Sequence, residues 1–141
     1  MNLWILDTDT LTLFQKRNPR ILQRFNEINI EQVVVTTITV EEQMRGWLDV
    51  IRQSSEPQRL VWGYLGLRRG VEFFNTIRIL DFDQNASERY KELKQAKIRV
   101  GTQDLRIAAI AISNNAILIT RNLRDFSRIP NLKFEDWTVE N

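Results

Sequence analysis

The sequence predicts an α/β fold: a mostly parallel sheet of about five strands with helices on both faces, three layers in all. Two observations carry this. Short runs rich in Val, Ile and Leu alternate with longer segments of helical periodicity, the pattern of β-α units. The runs are apolar at nearly every position and not at every second one, as strands covered on both faces must be. A chain of 141 residues falls in the single-domain range and buries roughly two-thirds of its unfolded surface on folding, so 1–141 reads as one domain.

In chain order, Asn2–Leu6 is the first strand and Thr8 to Arg17 the first helix. Pro19 suits a first helical turn, and Ile21, Leu22, Phe25 and Ile28 give a short amphipathic helix. Val33–Thr36, β-branched throughout, is the second strand. A helix then runs from Thr39 to Ile51, with Thr39 and Glu42 at capping-box spacing. Pro57 opens the next helix, where Leu60, Tyr64, Leu67, Val71 and Phe74 recur at four- and three-residue steps as one apolar stripe. Gly63, Gly66 and Gly70 in that helix each cost about 1 kcal/mol of helix propensity, so it is expected to pack closely on a neighbour. With Trp47, Leu48 and Ile51 it forms a helical hairpin over about 40–76. The hairpin is either plain core or a surface for a second copy or a partner.

Ile77–Leu80 is the third strand, and Asn85 to Ile98 a basic amphipathic helix with Ala86, Tyr90 and Leu93 inward. Thr102–Ser113 is a strongly apolar helix, followed by a fourth strand, Ala116–Thr120, and a short fifth, Leu132–Glu135. Ligands in such sheets sit at the carboxyl ends of the strands, where chain order switches direction.

Composition removes much chemistry. The chain has no Cys and no His, which excludes thiol nucleophiles, thiolate metal sites, Ser-His-Asp triads, histidine acid–base pairs and His-ligated zinc. What remains is carboxylate, hydroxyl, Lys and Arg, with a hard cation bound through oxygen. Net charge is only +2, yet between Arg89 and Lys133 ten Lys or Arg residues stand against Glu92, Asp104 and Asp125, giving +7. A polyanionic partner suits that segment; the plain alternative is a solvated basic face. No apolar run approaches the ~20 residues of a membrane span. The start of the chain lacks a basic region before a long apolar segment, so a cytoplasmic protein without a membrane role is expected.

The acids are placed where the sheet rule makes them testable together. Asp7 and Asp9 follow the first strand, Glu42 lies at the start of the helix after the second, Asp104 opens the apolar helix, and Asn122 and Asp125 follow the fourth strand. Each has an ordinary explanation as a helix cap, a capping-box partner or a turn former. Independent capping does not require them to meet. If they meet, clustered carboxylates repel unless a cation neutralises them. Mg²⁺ or Mn²⁺ fits oxygen ligands, waters and substrate phosphates, whether as one ion or two. The resulting chemistry is metal-dependent nuclease chemistry.

The stretches Leu6-Asp7-Thr8-Asp9, Thr39-Val40-Glu41-Glu42 through Gly46, Gly101-Thr102-Gln103-Asp104 with Ile107-Ala108-Ala109, and Thr120-Arg121-Asn122 through Asp125-Phe126 together resemble those of PIN-domain ribonucleases. The likeness is specifically to the VapC-type toxins of bacterial type II toxin–antitoxin systems, and it covers nearly the whole chain. It implies a three-layer PIN-like α/β/α fold, Mg²⁺ or Mn²⁺ dependence, endonucleolytic cleavage of RNA, homodimerisation and inhibition by a small cognate antitoxin. By position, Asp7, Glu42 and Asp104 match the acidic catalytic and metal-site residues, and Thr8 a site hydroxyl. Asp9, Thr120, Asn122 and Asp125 are further candidates. Two departures stand out: position 9 is commonly Asn in such toxins, and the family's fourth acid often falls where Asn122 stands.

Two alternatives differ in kind. Asp7-Thr8-Asp9-Thr10-Leu11 approaches the Asp-x-Asp-x-Thr motif of haloacid-dehalogenase-like phosphatases, with Asp7 as nucleophile and Asp9 as general acid. It departs at Leu11 and lacks that family's late acidic pair. The other is a non-catalytic PIN-like module that docks RNA or protein. Which RNA would be cut is not encoded in metal ligands or phosphate contacts, which carry no sequence information.

Overall fold

A computed structural model describes residues 2–139. Five strands, β1 (Trp4–Leu6), β2 (Val33–Thr36), β3 (Arg78–Leu80), β4 (Ile117–Ile119) and β5 (Lys133–Glu135), form one sheet in the order β3-β2-β1-β4-β5. All four neighbouring pairs are parallel. The helices are α1 (Thr8–Gln15), α2 (Pro19–Glu27), α3 (Thr37–Gln53), α4 (Pro57–Phe74), α5 (Gln84–Gln95), α6 (Thr102–Ser113) and α7 (Leu123–Phe126), with a 3₁₀ turn at Ile30–Gln32. β2 spans its expected run, and the other four strands are one or two residues shorter than theirs.

Side chains alternate across the sheet and make two cores. Ile5, Val34 and Leu118 face α5 and α6, packing with Leu93, Ala108 and Ile110. Leu6, Val35 and Ile119 face the other way, with Leu11, Ile21, Phe74 and Trp137. Both layers are buried, which is why the strands read as continuous apolar runs. Among the described residues no helix is long and apolar enough to cross a membrane.

One expectation is corrected, and one open alternative takes a definite shape. First, α3 begins at Thr37, not Thr39, and its N-cap is Thr36, whose hydroxyl accepts from the Thr39 amide at 3.3 Å. The Thr39–Glu42 capping box therefore does not form. Second, the apolar stripe of α4 divides: Leu60, Tyr64 and Val71 are 38%, 57% and 51% exposed, whereas Phe74 is buried in the core, as are Gly63, Gly66 and Gly70. A Cβ on Gly66 would lie 2.3 Å from the Trp47 ring, one on Gly63 2.9 Å from Ile51 Cγ1, and one on Gly70 2.6 Å from Met44 Cε. The missing side chains let α4 lie close on α3, so the expected tight hairpin forms with the helix turned onto its glycine face.

Between α1, α3 and α4 this leaves a groove of about 560 Å³ lined by Trp47, Val50, Trp62, Leu65 and Phe73, with Lys16 and Arg69 at its polar edge. Trp47 and Trp62 meet edge to face at 5.0 Å. Among the described residues none of the glycines has a positive φ; the left-handed positions after α1, α5 and α6 are taken by Arg17, Lys97 and Asn115 instead.

Candidate active site

Chain order reverses between β1 and β4, and the strand ends there open a cleft. Asp7 stands at its floor. Its amide donates to the Ile119 carbonyl at 3.0 Å, extending the β1–β4 ladder by one residue, and its Oδ1 accepts from the Thr10 amide at 2.8 Å as the N-cap of α1. The cap and the cleft floor are thus the same carboxylate. Asp7 is 7% exposed. Burial raises its pKa above the ordinary value, partly opposed by the Thr120 hydroxyl and the Thr10 amide.

Glu42 reaches the cleft from the first turns of α3. Freed from the capping box, its Oε1 accepts from the Thr8 hydroxyl at 2.7 Å, and the Thr8 hydroxyl also meets that of buried Thr39 at 3.1 Å. A run of two hydroxyls therefore ties α1 to α3 and sets where Glu42 points.

Asp104 enters from the first turn of α6, where a negative charge suits the helix dipole. It is half-buried, and its pKa is raised to about 6, first by burial and then by the charges of Asp7, Glu42 and Asp125. That mutual influence places the four acids in one electrostatic neighbourhood. Beside it, Gln103 donates to Glu41 Oε1 at 2.9 Å and accepts from Arg106 at 2.8 Å. The neighbours of Asp104 and Glu42 are therefore also joined.

The cleft, about 590 Å³, is lined by Asp7, Thr8, Asp9, Glu42, Asp104, Arg121 and Asn122. Thr120 and Asp125 are not in the lining. Thr120 is fully buried and accepts from the Asn122 amide at 3.0 Å. Asp125 pairs with Asn122, which donates from Nδ2 to Asp125 Oδ2 at 3.0 Å and caps α7 by accepting from the Asp125 amide. Arg128 lies 3.7 Å from the other Asp125 oxygen.

Asp9 differs from the other acids. Both its oxygens accept from Arg121, Nε to Oδ2 at 2.7 Å and Nη2 to Oδ1 at 3.1 Å. Its charge is answered by a side chain 112 residues on. The sequence places Arg121 in the basic segment and, beside Asn122, in the fourth motif, but gives it no role of its own. The other cations of that segment are dispersed: Lys94 and Arg106 lie over Tyr90, and Arg89 pairs with Glu92. Thr39, placed by its spacing as a capping residue, serves instead as the hydroxyl behind Thr8.

The donor set suits a hard cation. Asp7, Glu42 and Asp104 are oxygen donors with raised or mutually repelling charge, and a positive ion would relieve both desolvation and repulsion. Among the described residues no three acidic side chains already form a closed metal cage. A Mg²⁺ ion that takes one or two carboxylates and completes its shell with water and phosphate needs none.

Comparison with known proteins adds to this geometry. A PIN-domain profile matches residues 5–132. The chain is 32% identical over 139 residues to the tRNA(fMet)-specific endonuclease VapC of Salmonella typhimurium, covering 95% of this chain and 97% of the relative. It is 32% identical over 140 residues to ribonuclease VapC2 of Haemophilus influenzae, again covering 95% and 97%. In three dimensions it resembles a chain of the DNA-bound VapBC structure from Salmonella typhimurium, with a TM-score of 0.75 and 30% identity over 97% of this chain and 99% of that one. A VapBC-1 chain from nontypeable Haemophilus influenzae superposes with a TM-score of 0.77 at 26% identity, over the same shares of the two chains.

Proposed function

The chain belongs to the PIN-domain family, alongside the VapC ribonucleases, and from that premise we propose that it is a metal-dependent endoribonuclease, the toxin of a toxin–antitoxin pair. The observation that carries the reading is the convergence of Asp7, Glu42 and Asp104 from three separate elements on one cleft at the switch point of the sheet.

Asp7, Glu42 and Asp104 would hold Mg²⁺ or Mn²⁺. Bound there, the ion supplies an activated water and neutralises charge developing on the scissile phosphodiester. The protein's own residues supply position. The Thr10 amide and Thr120 keep Asp7 at the floor, Thr8 and Thr39 set Glu42, and α6, anchored by its buried run from Ile107 to Ala111, presents Asp104. Asn122 is a neutral group on the rim, acting through its amide and holding Asp125 away from the cleft. Asp9, already paired with Arg121, is set apart from the metal-holding acids.

The phosphatase alternative is not carried further: Leu11 departs from its motif, the late acidic pair is lacking, and the PIN-domain profile matches residues 5–132. The partners proposed are an RNA substrate, a cognate antitoxin and a second copy of the chain, the last two on the exposed apolar face of the α3–α4 hairpin. The test is cleavage of unlabelled total RNA by purified protein. Activity with Mn²⁺ or Mg²⁺ that EDTA abolishes is expected, together with growth arrest on expression that Asp7→Asn relieves. Equal cleavage in EDTA would overturn the metal mechanism.

A further inference from the structure

The cleft that must admit a polyanion is itself acidic. Four of its seven lining residues are carboxylates, and the cation in that lining is Arg121. Each nucleotide of an RNA strand brings one negative charge, and neutralising phosphates with Lys or Arg dominates such affinities. A guanidinium offers a planar fork matched to two oxygens of a phosphate as well as to two of a carboxylate. In this structure the fork is filled by Asp9, with Nε on one oxygen and Nη2 on the other.

Stability does not account for that pair. Both side chains are about half exposed, 49% for Arg121 and 51% for Asp9, and exposed ion pairs contribute little to folding. The pair is therefore easily opened. It also spans the cleft mouth, joining the first turn of α1 to the loop after β4 beside Asn122. Both of these segments stand at the strand ends that bring Asp7 to the floor.

We propose that Arg121 is the residue that positions a substrate phosphate at this cleft, and that Asp9 is its internal competitor, holding the guanidinium in place until an RNA phosphate displaces it. The inference rests on the ribonuclease reading. It makes two statements that simple charge counting does not. Asp9 acts through Arg121, so removing its charge has an effect only when Arg121 is present. The fork matters as well as the charge, so lysine is an incomplete substitute.

The experiment is fluorescence anisotropy with a 5′-fluorescein single-stranded 20-nucleotide RNA in CaCl₂, which gives the carboxylates a hard divalent ion of looser geometry than Mg²⁺; intact RNA is verified on a gel. Arg121→Ala is expected to raise Kd about tenfold, the scale of a lost charged hydrogen-bonding pair. It should lower the slope of log Kd against log salt by about 0.7, one single-strand phosphate contact. Arg121→Lys should keep the slope and lose part of the affinity. Asp9→Asn should tighten binding two- to threefold, and Asp9→Asn with Arg121→Ala should bind as Arg121→Ala alone.

Equal gains from Asp9→Asn in both backgrounds would overturn the competitor role, and an unchanged salt slope in Arg121→Ala would overturn the phosphate contact. Cleavage of the same RNA with Mn²⁺ is measured alongside. A wild-type protein that cleaves while Arg121→Ala binds normally refutes this inference and leaves the ribonuclease reading standing. A wild-type protein that neither binds nor cleaves refutes both.

Discussion

The acidic cleft and the outer face of the α3–α4 hairpin share α3 and are built on opposite terms. In the cleft, polar side chains are partly withdrawn from water and three of the acids are held by a neighbour: Asp7 by the Thr10 amide, Glu42 by Thr8, Asp9 by Arg121. On the hairpin, small residues are withdrawn and large apolar ones are left outside, with Val61, Trp62 and Tyr64 at 68%, 50% and 57% exposure. The first arrangement sacrifices stability for charge in fixed places. The second gives up burial of apolar surface, which folding alone would favour. Under the proposed function each cost serves something outside the chain, an ion and RNA in one case and a protein surface in the other.

The contrast can be broken most severely at Thr8. Thr8→Val keeps size and helix position but removes the hydroxyl that orients Glu42. Cleavage is expected to fall about 10- to 100-fold, the usual cost of losing a group that orients a metal ligand, with the melting temperature nearly unchanged. An equal loss of melting temperature would make Thr8 a structural residue instead.

On the hairpin the pattern reverses. Gly66→Ala forces a methyl to within 2.3 Å of the Trp47 ring, and overpacking of this kind costs about 1–3 kcal/mol, measurable as a lower urea midpoint with unchanged m-value. Cleavage per folded molecule should survive. Trp62→Ala and Tyr64→Ala, which remove exposed side chains, should change stability by less than ~0.5 kcal/mol. They should instead weaken self-association or antitoxin binding in sedimentation and titration measurements. Unchanged assembly in both would remove the docking role from this face.

The smallest expected effect sharpens the cost assigned to the cleft. Asp104 has a folded pKa of about 6 against an ordinary 3.8. The folded protein therefore keeps a proton between those values that the unfolded chain releases, and this group's contribution to stability falls as pH rises through that window. In EDTA, Asp104→Asn should melt a few degrees above wild type at pH 7, and the gap should close towards pH 4. A gap that widens on acidification would mean Asp104 is stabilised as a carboxylate.

These two regions also differ in how much of them the sequence disclosed. The β-branched run at Val33–Thr36 and the apolar run at Ile117–Ile119 were legible because both faces of the sheet are covered, and the acids were legible because each sits just beyond a strand or at a helix start. The direction of α4 was not. Apolar periodicity identifies a face but not what it meets, and here glycine at 63, 66 and 70 lets the helix approach Trp47 and Met44 while Leu60, Tyr64 and Val71 stay exposed. Local spacing offers Glu42 both a capping box and a place in the acidic cluster, but it cannot supply the partner that orients it, Thr8, which lies 34 residues away. The Asp9–Arg121 pair, separated by 112 residues, was out of reach for the same reason.

The central claim is that the carboxylates of the cleft hold the ion that RNA cleavage requires. Its most direct test is to measure Mn²⁺ binding by calorimetry and RNA cleavage on the same preparations of wild type, Asp7→Asn and Asp104→Asn. Asn caps a helix as well as Asp does, so Asp7→Asn should keep α1 and the fold. Wild type should bind Mn²⁺ and cleave, and both variants should lose cleavage by about 10²-fold or more together with weakened binding, at undiminished melting temperature. Wild-type cleavage in either folded variant, or cleavage that persists where Mn²⁺ binding is gone, would contradict the account.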